Sequence, residues 1–113
     1  MFPIMELRPP SYYALAALID GPLHGYAIVR RAHDLSDGTV RLSTGTLYAL
    51  LERALKEGLV VAGEPYREGG RQRRDYTLTP TGRQTLQAEA EQLARAAATV
   101  TGRLRLTRAA AAR

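Results

Sequence analysis

Chain breakers recur so closely up to Pro80 that only short elements fit between them. Asp20-Gly21-Pro22, Ser36-Asp37-Gly38, Gly58, Glu68-Gly69-Gly70 and Thr79-Pro80 punctuate the chain. Gly-Pro and Gly-Gly steps end helices because one removes a backbone donor and the other adds backbone entropy. Beyond Pro80 only Gly82, two residues on, and Gly102 interrupt. The pattern is therefore a series of short elements followed by one long one. At 113 residues there is room for one domain with one modest core.

The segments between breakers carry readable periods. Ser11 to Ile19 is apolar and predicts a first short helix starting at Pro10, since proline is tolerated in a first turn. His24 to Leu35 predicts a second, with Ile28, Ala32 and Leu35 on one stripe. Val40 to Leu42 is a brief β-prone link, and Ser43-Thr44-Gly45-Thr46 is an N-cap region. After it, Leu47, Leu50, Leu51, Ala54 and Leu55 form one broad apolar face of a third helix that Gly58 ends. Gly45, Thr46, Ala49, Glu52, Arg53 and Lys56 lie on its other side. Leu59–Ala62 and Arg74–Thr79 read as two strands of a hairpin around Gly69-Gly70, with Tyr76 and Leu78 on one face. Thr79 and Pro80 cap and open the last helix. Its apolar positions Leu86, Ala90, Leu93, Ala97, Val100 and Leu104 step by fours and threes, a heptad seam. Gly102 predicts fraying there, and Thr107 to Arg113 a loose tail.

Several chemistries are set aside by composition. With no cysteine there is no disulfide, thiolate metal site or cysteine nucleophile. His24 and His33 have no zinc-enzyme spacing, so no metal and no cofactor is expected. Asp34, Asp37, Glu52 and Glu57 are spread over helix surfaces without a nucleophile, base or acid partner pattern, so an enzyme is not expected. No apolar run approaches a membrane span, and the start, MFPIMELRPP, breaks any signal-like stretch with prolines. The expected place is the cytoplasm, with no membrane partner.

Helix, helix, helix, hairpin, long helix is the order of a winged helix-turn-helix. The expected fold is mostly α with a small β-hairpin: residues 1–79 a winged DNA-binding domain, 80–106 a dimerisation helix and 107–113 a loose tail. Small polar residues at the start of the third helix, Thr44, Thr46 and Tyr48, suit a helix entering a major groove. Four arginines, Arg67, Arg71, Arg73 and Arg74, cluster at the hairpin. Arginine forks suit phosphate.

These residues also resemble a family. His24-Gly25-Tyr26, Ser43-x-Gly45-Thr46-Leu47-Tyr48, Gly58-Leu59-Val60, Gly70-Arg71-x-Arg73-Arg74-x-Tyr76 and Tyr76-x-Leu78-Thr79-x-x-Gly82 are similar, in order and spacing, to the PadR family of bacterial transcriptional regulators. The resemblance spans about residues 11–86. It implies a homodimer binding double-stranded DNA at a palindromic operator, mostly as a repressor, with a small phenolic or drug-like effector in some members. The single C-terminal helix matches the short branch. Arg53-Ala54-Leu55 departs from the family's usual Arg-Leu-Glu, which predicts a third helix rotated or repacked at its end. The absence of tryptophan removes the residue that drug-binding members stack on ligands.

Each candidate has a plainer role beside the functional one. Ser43 is an N-cap, worth about 1 kcal/mol. Tyr48 is divided between packing and a phosphate hydrogen bond. Arg53 reaches phosphate or pairs with Glu57 at i+4. His24 either holds a phosphate at a helix start, together with the free N–H groups of Tyr26 and Ala27, or is a packed histidine. Arg71 and Arg73 are expected as the principal wing contacts, against the alternative of a solvated loop tip. The seam packs on its own domain or on a second copy, and Tyr12, Tyr13 and Leu15 are expected to join it. Non-specific DNA binding and protein–protein contact are the competing functions.

The net charge of +5 says less than it seems. Residues 1–63 carry six basic and six acidic groups, residues 64–75 four against three, and residues 76–113 six against two. The excess lies on the last helix, so the case for DNA rests on the local hairpin cluster and the motif order.

Overall fold

The computed structural model describes residues 7–112. The lead through Glu6, with Pro3, and the terminal Arg113 lie outside the described residues. The elements in order are α1 (Pro9–Ala16), β1 (Leu23–His24), α2 (Gly25–Leu35), α3 (Thr44–Lys56), β2 (Val60–Ala62), β3 (Tyr66–Glu68), β4 (Arg71–Arg73), β5 (Asp75–Leu78) and α4 (Pro80–Ala111). This is the mostly helical winged helix-turn-helix architecture. Among the described residues no helix is long and apolar enough to cross a membrane.

The three short helices enclose the core. Leu15, Leu18, Ile28, Leu47, Leu51 and Val60 are its largest fully buried side chains. Burying each contributes roughly 1.5–3 kcal/mol against the entropy of ordering. Leu15, expected at an interface between copies, is 0% exposed and sits in this core. Ala14, Ala17 and Leu18 join it there, so the apolar run of α1 is consumed within its own domain. The helix itself ends at Ala16, and residues 17–20 leave it in tighter turns such as Leu18 N–H to Leu15 O. Leu35, expected on the buried stripe of α2, is 44% exposed, because Ser36 closes the helix just beyond it.

Ser36 is the buried polar residue of the turn between α2 and α3. Its hydroxyl donates to His33 O at 3.1 Å and accepts from Val40 N–H at 2.9 Å. Asp37 at φ 52° and Gly38 at φ 83° reverse the chain there. α3 is not rotated. Ala54 is fully buried and Leu55 lies at the surface. The core closes over an alanine at that turn.

The hairpin is more elaborate than two strands. β5 pairs antiparallel with both β2 and β1, giving the order β1-β5-β2. Val60 faces Leu78 and Ala62 faces Tyr76, while Leu23 also faces Tyr76. β3 and β4 form a separate antiparallel pair, Tyr66 opposite Arg73 and Glu68 opposite Arg71, around Gly69 and Gly70 at positive φ. Pro65 supplies no backbone donor, and the ladder breaks there. β1 is too short for any periodic signal, and only its partner makes it a strand.

Thr79 joins the sheet to α4. Its hydroxyl accepts from Gly82 N–H at 2.9 Å and donates to Gly58 O at 2.6 Å. Its own N–H donates to Leu59 O at 3.0 Å. α4 then runs unbroken through Gly102 and Thr107 to Ala111, where fraying and a loose tail were expected. Gly102 faces open space, and Arg103, Leu104, Arg105 and Leu106 directly after it are good helix formers. Leu86 is 5% exposed and belongs to the core of its own domain. It is not offered to a partner.

Candidate nucleic-acid interface

The start of α3 is presented outward. Ser43 caps it, its hydroxyl accepting from Thr46 N–H at 3.2 Å and donating to Thr46 Oγ1 at 2.9 Å. Thr44, Gly45, Thr46, Ala49, Glu52 and Arg53 are exposed along the same helix. The inner face, Leu47, Leu50, Leu51 and Ala54, is fixed in the core, so this outer row cannot turn away.

Tyr48 lies across the N-terminus of α2 and is 48% exposed. A β-carbon on Gly25 would stand 2.7 Å from its Oη and 3.2 Å from Cζ. The glycine of His24-Gly25-Tyr26 is therefore the seat for Tyr48. Tyr26 projects outward, with the Arg30 guanidinium 5.8 Å from its ring centre.

His24 is the N-cap of α2. Its Nδ1 accepts from Ala27 N–H at 3.2 Å, which assigns the proton of the neutral ring to Nε2. One guanidinium nitrogen of Arg73 stands 3.1 Å from Nδ1 and 3.2 Å from Nε2, so the guanidinium lies against the edge of the imidazole ring. Arg73 Nε lies 3.3 Å from Glu68 Oε1, a Coulombic pair whose angle makes no hydrogen bond. The Arg73 side chain is only 20% exposed. Of the two arginines expected to lead the wing, this one is thus turned inward, bracing the β3–β4 hairpin against α2. Arg67, Arg71 and Arg74 are exposed. Tyr66 donates to Asp75 Oδ1 at 2.6 Å, a second tie at the hairpin base. That hydrogen bond raises the Tyr66 pKa above its usual value, with smaller contributions from desolvation and carboxylate charge. Burial raises that of Tyr76, with Tyr48 adding to it.

These parts surround a cleft of about 350 Å³ lined by His24, Tyr26, Tyr48, Arg71 and Arg74, among others. A second cleft, about 520 Å³, lies on the other flank of α3 between Arg53, Thr46 and the start of α1, where Arg8 and Ser11 line it. Arg8 had no signal in the sequence, because α1 meets α3 only in the folded chain. Arg53 and Glu57 form no ion pair among the described residues, and Glu57 Oε2 is buried without a hydrogen-bond partner. The described residues contain no group of three His, Asp or Glu placed to hold a metal.

A capped, outward-facing third helix beside an arginine-bearing hairpin defines the winged helix class of regulators. Residues 14–88 match the model of the Transcriptional regulator PadR-like family. The chain belongs to that family.

A curated relative, the "Uncharacterized 37.1 kDa protein in transposon TN4556" of Streptomyces fradiae, is 45% identical over 91 residues, covering 80% of this chain and 25% of its own length. The chain thus spans about a quarter of that relative. Among solved structures, a PadR family regulator from Eggerthella lenta superposes with TM-score 0.63 at 29% identity, covering 83% of this chain and 79% of that one. Bacillus subtilis PadR, crystallised with operator DNA, is similar in fold with TM-score 0.65 at 24% identity, over 74% of this chain and 48% of its own.

Proposed function

We propose that the chain is a homodimeric, sequence-specific repressor of transcription that binds a palindromic operator in double-stranded DNA. The observation carrying this reading is one cleft lined by Tyr48 of α3, by His24 and Tyr26 at the start of α2, and by the exposed Arg71 and Arg74 of the wing. Thr44 and Thr46 face base edges in the major groove, with Ser43 holding the helix end. Tyr26, Tyr48 and Arg53 contact phosphate on the flanks. Arg67, Arg71 and Arg74 lie along the adjacent backbone or minor groove. His24 and Arg73 hold the hairpin at the angle this requires. Bacillus subtilis PadR, similar in fold, was crystallised in complex with operator DNA. Working on DNA, the protein would act in the cytoplasm.

Release by a small phenolic or drug-like effector is part of the proposal. Tyr12 and Tyr13, edge to face with ring centres 5.3 Å apart on α1, supply an aromatic surface beside α4. Non-specific DNA binding is the second reading, favoured by the excess of arginine on α4.

Fluorescence anisotropy with the DNA upstream of the gene, against random competitor, tests both. A specific regulator prefers its site by at least about 10³. Equal affinity for random DNA would leave only the second reading. Adding planar aromatic acids to the complex tests the effector.

A further inference from the structure

The outermost line of α3 carries an acid on the face turned toward DNA. At about 100° per residue, Gly45, Ala49, Glu52 and Lys56 fall within an arc of about 60°, opposite the buried Leu47, Leu50, Leu51 and Ala54. All four are exposed. A β-carbon on Gly45 would meet nothing within 4 Å, and Ala49 adds only a methyl group, so the line can approach a partner closely. Glu52 is the single carboxylate of α3. Among the described residues it forms no ion pair, neither with Arg53 beside it nor with Lys56 one turn on.

A carboxylate in this place restricts what the helix can meet. It accepts hydrogen bonds and donates none, so phosphate oxygens, guanine O6 and N7, and thymine O4 all repel it. Two groups on the major-groove edges donate: the N4 amino group of cytosine and the N6 amino group of adenine. Adenine sets its N7 acceptor beside the amino group, which opposes a carboxylate. Cytosine sets a C–H there, which does not.

We propose that Glu52 selects a cytosine in each half-site, its carboxylate accepting from the N4 amino group. The proposal rests on the DNA-binding reading above and names one base that α3 requires. Gly45, Tyr48, Ala49 and Glu52 stand at i, i+3, i+4 and i+7, the spacing by which a helix lying along the groove presents side chains to base edges. The flanks agree. Tyr48 on one side lines the cleft that holds Arg71 and Arg74, and Arg53 on the other lines the cleft beside the start of α1. The groups suited to phosphate thus border the helix, and the acid lies between them, over the groove floor. Any base pair that meets Glu52 with an acceptor is disfavoured, so the residue acts by exclusion as well as by attraction.

Selection of sites from a random-sequence duplex library, with the full chain and with E52A and E52Q, tests this role. Wild-type sites should share a C·G pair at one symmetric position of each half. E52A should keep the other selected positions and lose that one. E52Q, whose amide both donates and accepts, should select adenine there. In fluorescence anisotropy on the selected duplex, exchanging that C·G for T·A should weaken the wild type about tenfold or more and E52A less than about twofold. E52A should also bind random duplex more tightly than the wild type. Cytosine retained by both variants, or loss of every selected position in E52A, would overturn the role of Glu52 and leave sequence-specific binding intact. Selection of no common site by the wild type would overturn sequence-specific binding itself, and the role with it.

Discussion

At Gly82 a β-carbon would stand 2.0 Å from the carbonyl oxygen of Leu59 and 2.9 Å from its carbon. Both are backbone atoms and cannot step aside, so Gly82→Ala must displace the first turn of α4. A loss of at least about 2 kcal/mol is expected, read as a fall in Tm of roughly 10 °C. Gly25 differs, because the obstructing atom is the Tyr48 hydroxyl, the tip of a side chain. Gly25→Ala should cost about 1 kcal/mol or less in urea unfolding but weaken DNA binding by moving Tyr48. Tyr48→Phe in the same chain removes the nearest obstruction, and no added loss of affinity for the double variant over Y48F would identify Tyr48 as the route. Tyr66 makes a pH prediction. Its folded pKa is raised, so its contribution is complete below about pH 10, the unfolded value. It is lost as pH rises through the folded value. Alkaline melting of the hairpin, followed by tyrosine absorbance, should shift to lower pH in D75N.

The wing is the element where chemistry and structure part company. Its arginines look equivalent in sequence, yet only three are free in the fold, since Arg73 is occupied by His24 and Glu68. Alanine at Arg71 and Arg74 should therefore flatten the salt dependence of operator binding, by about 0.9 in log–log slope for each phosphate left without its arginine. Arg73→Ala should lower affinity with an unchanged slope, and its effect should not add to that of His24→Ala. Additive effects with a reduced slope would return Arg73 to the phosphate. The helices of the domain were legible because periodic apolar stripes and caps are local: α3 begins at Thr44 behind Ser43, and α4 at Pro80 behind Thr79, as their sequences predict. β1 and the separate β3–β4 pair were not, because two- and three-residue strands carry no period and exist only through their partners.

For the whole molecule, the core ends at Leu86, and the helix beyond Glu91 adds almost no burial to its own domain. A chain ending at Gln92 should keep its far-ultraviolet helix signal for α1–α3 and a cooperative melt, while light scattering shows only monomer. The amino-acid sequence by itself determined the order of elements, the caps, the arginine cluster and the seam, since each depends on neighbours within one or two turns. It also carried the motifs of the family. It did not determine which apolar residues were spare. Leu15 and Leu86 read as interface and proved to be core, while Leu35 and Leu55 read as core and stand at the surface. Periodicity identifies a face, but how much of that face is covered depends on what packs against it from elsewhere in the chain. The same holds for charge: only the approach of β4 to α2 decides that Arg73 braces while Arg71 and Arg74 remain free.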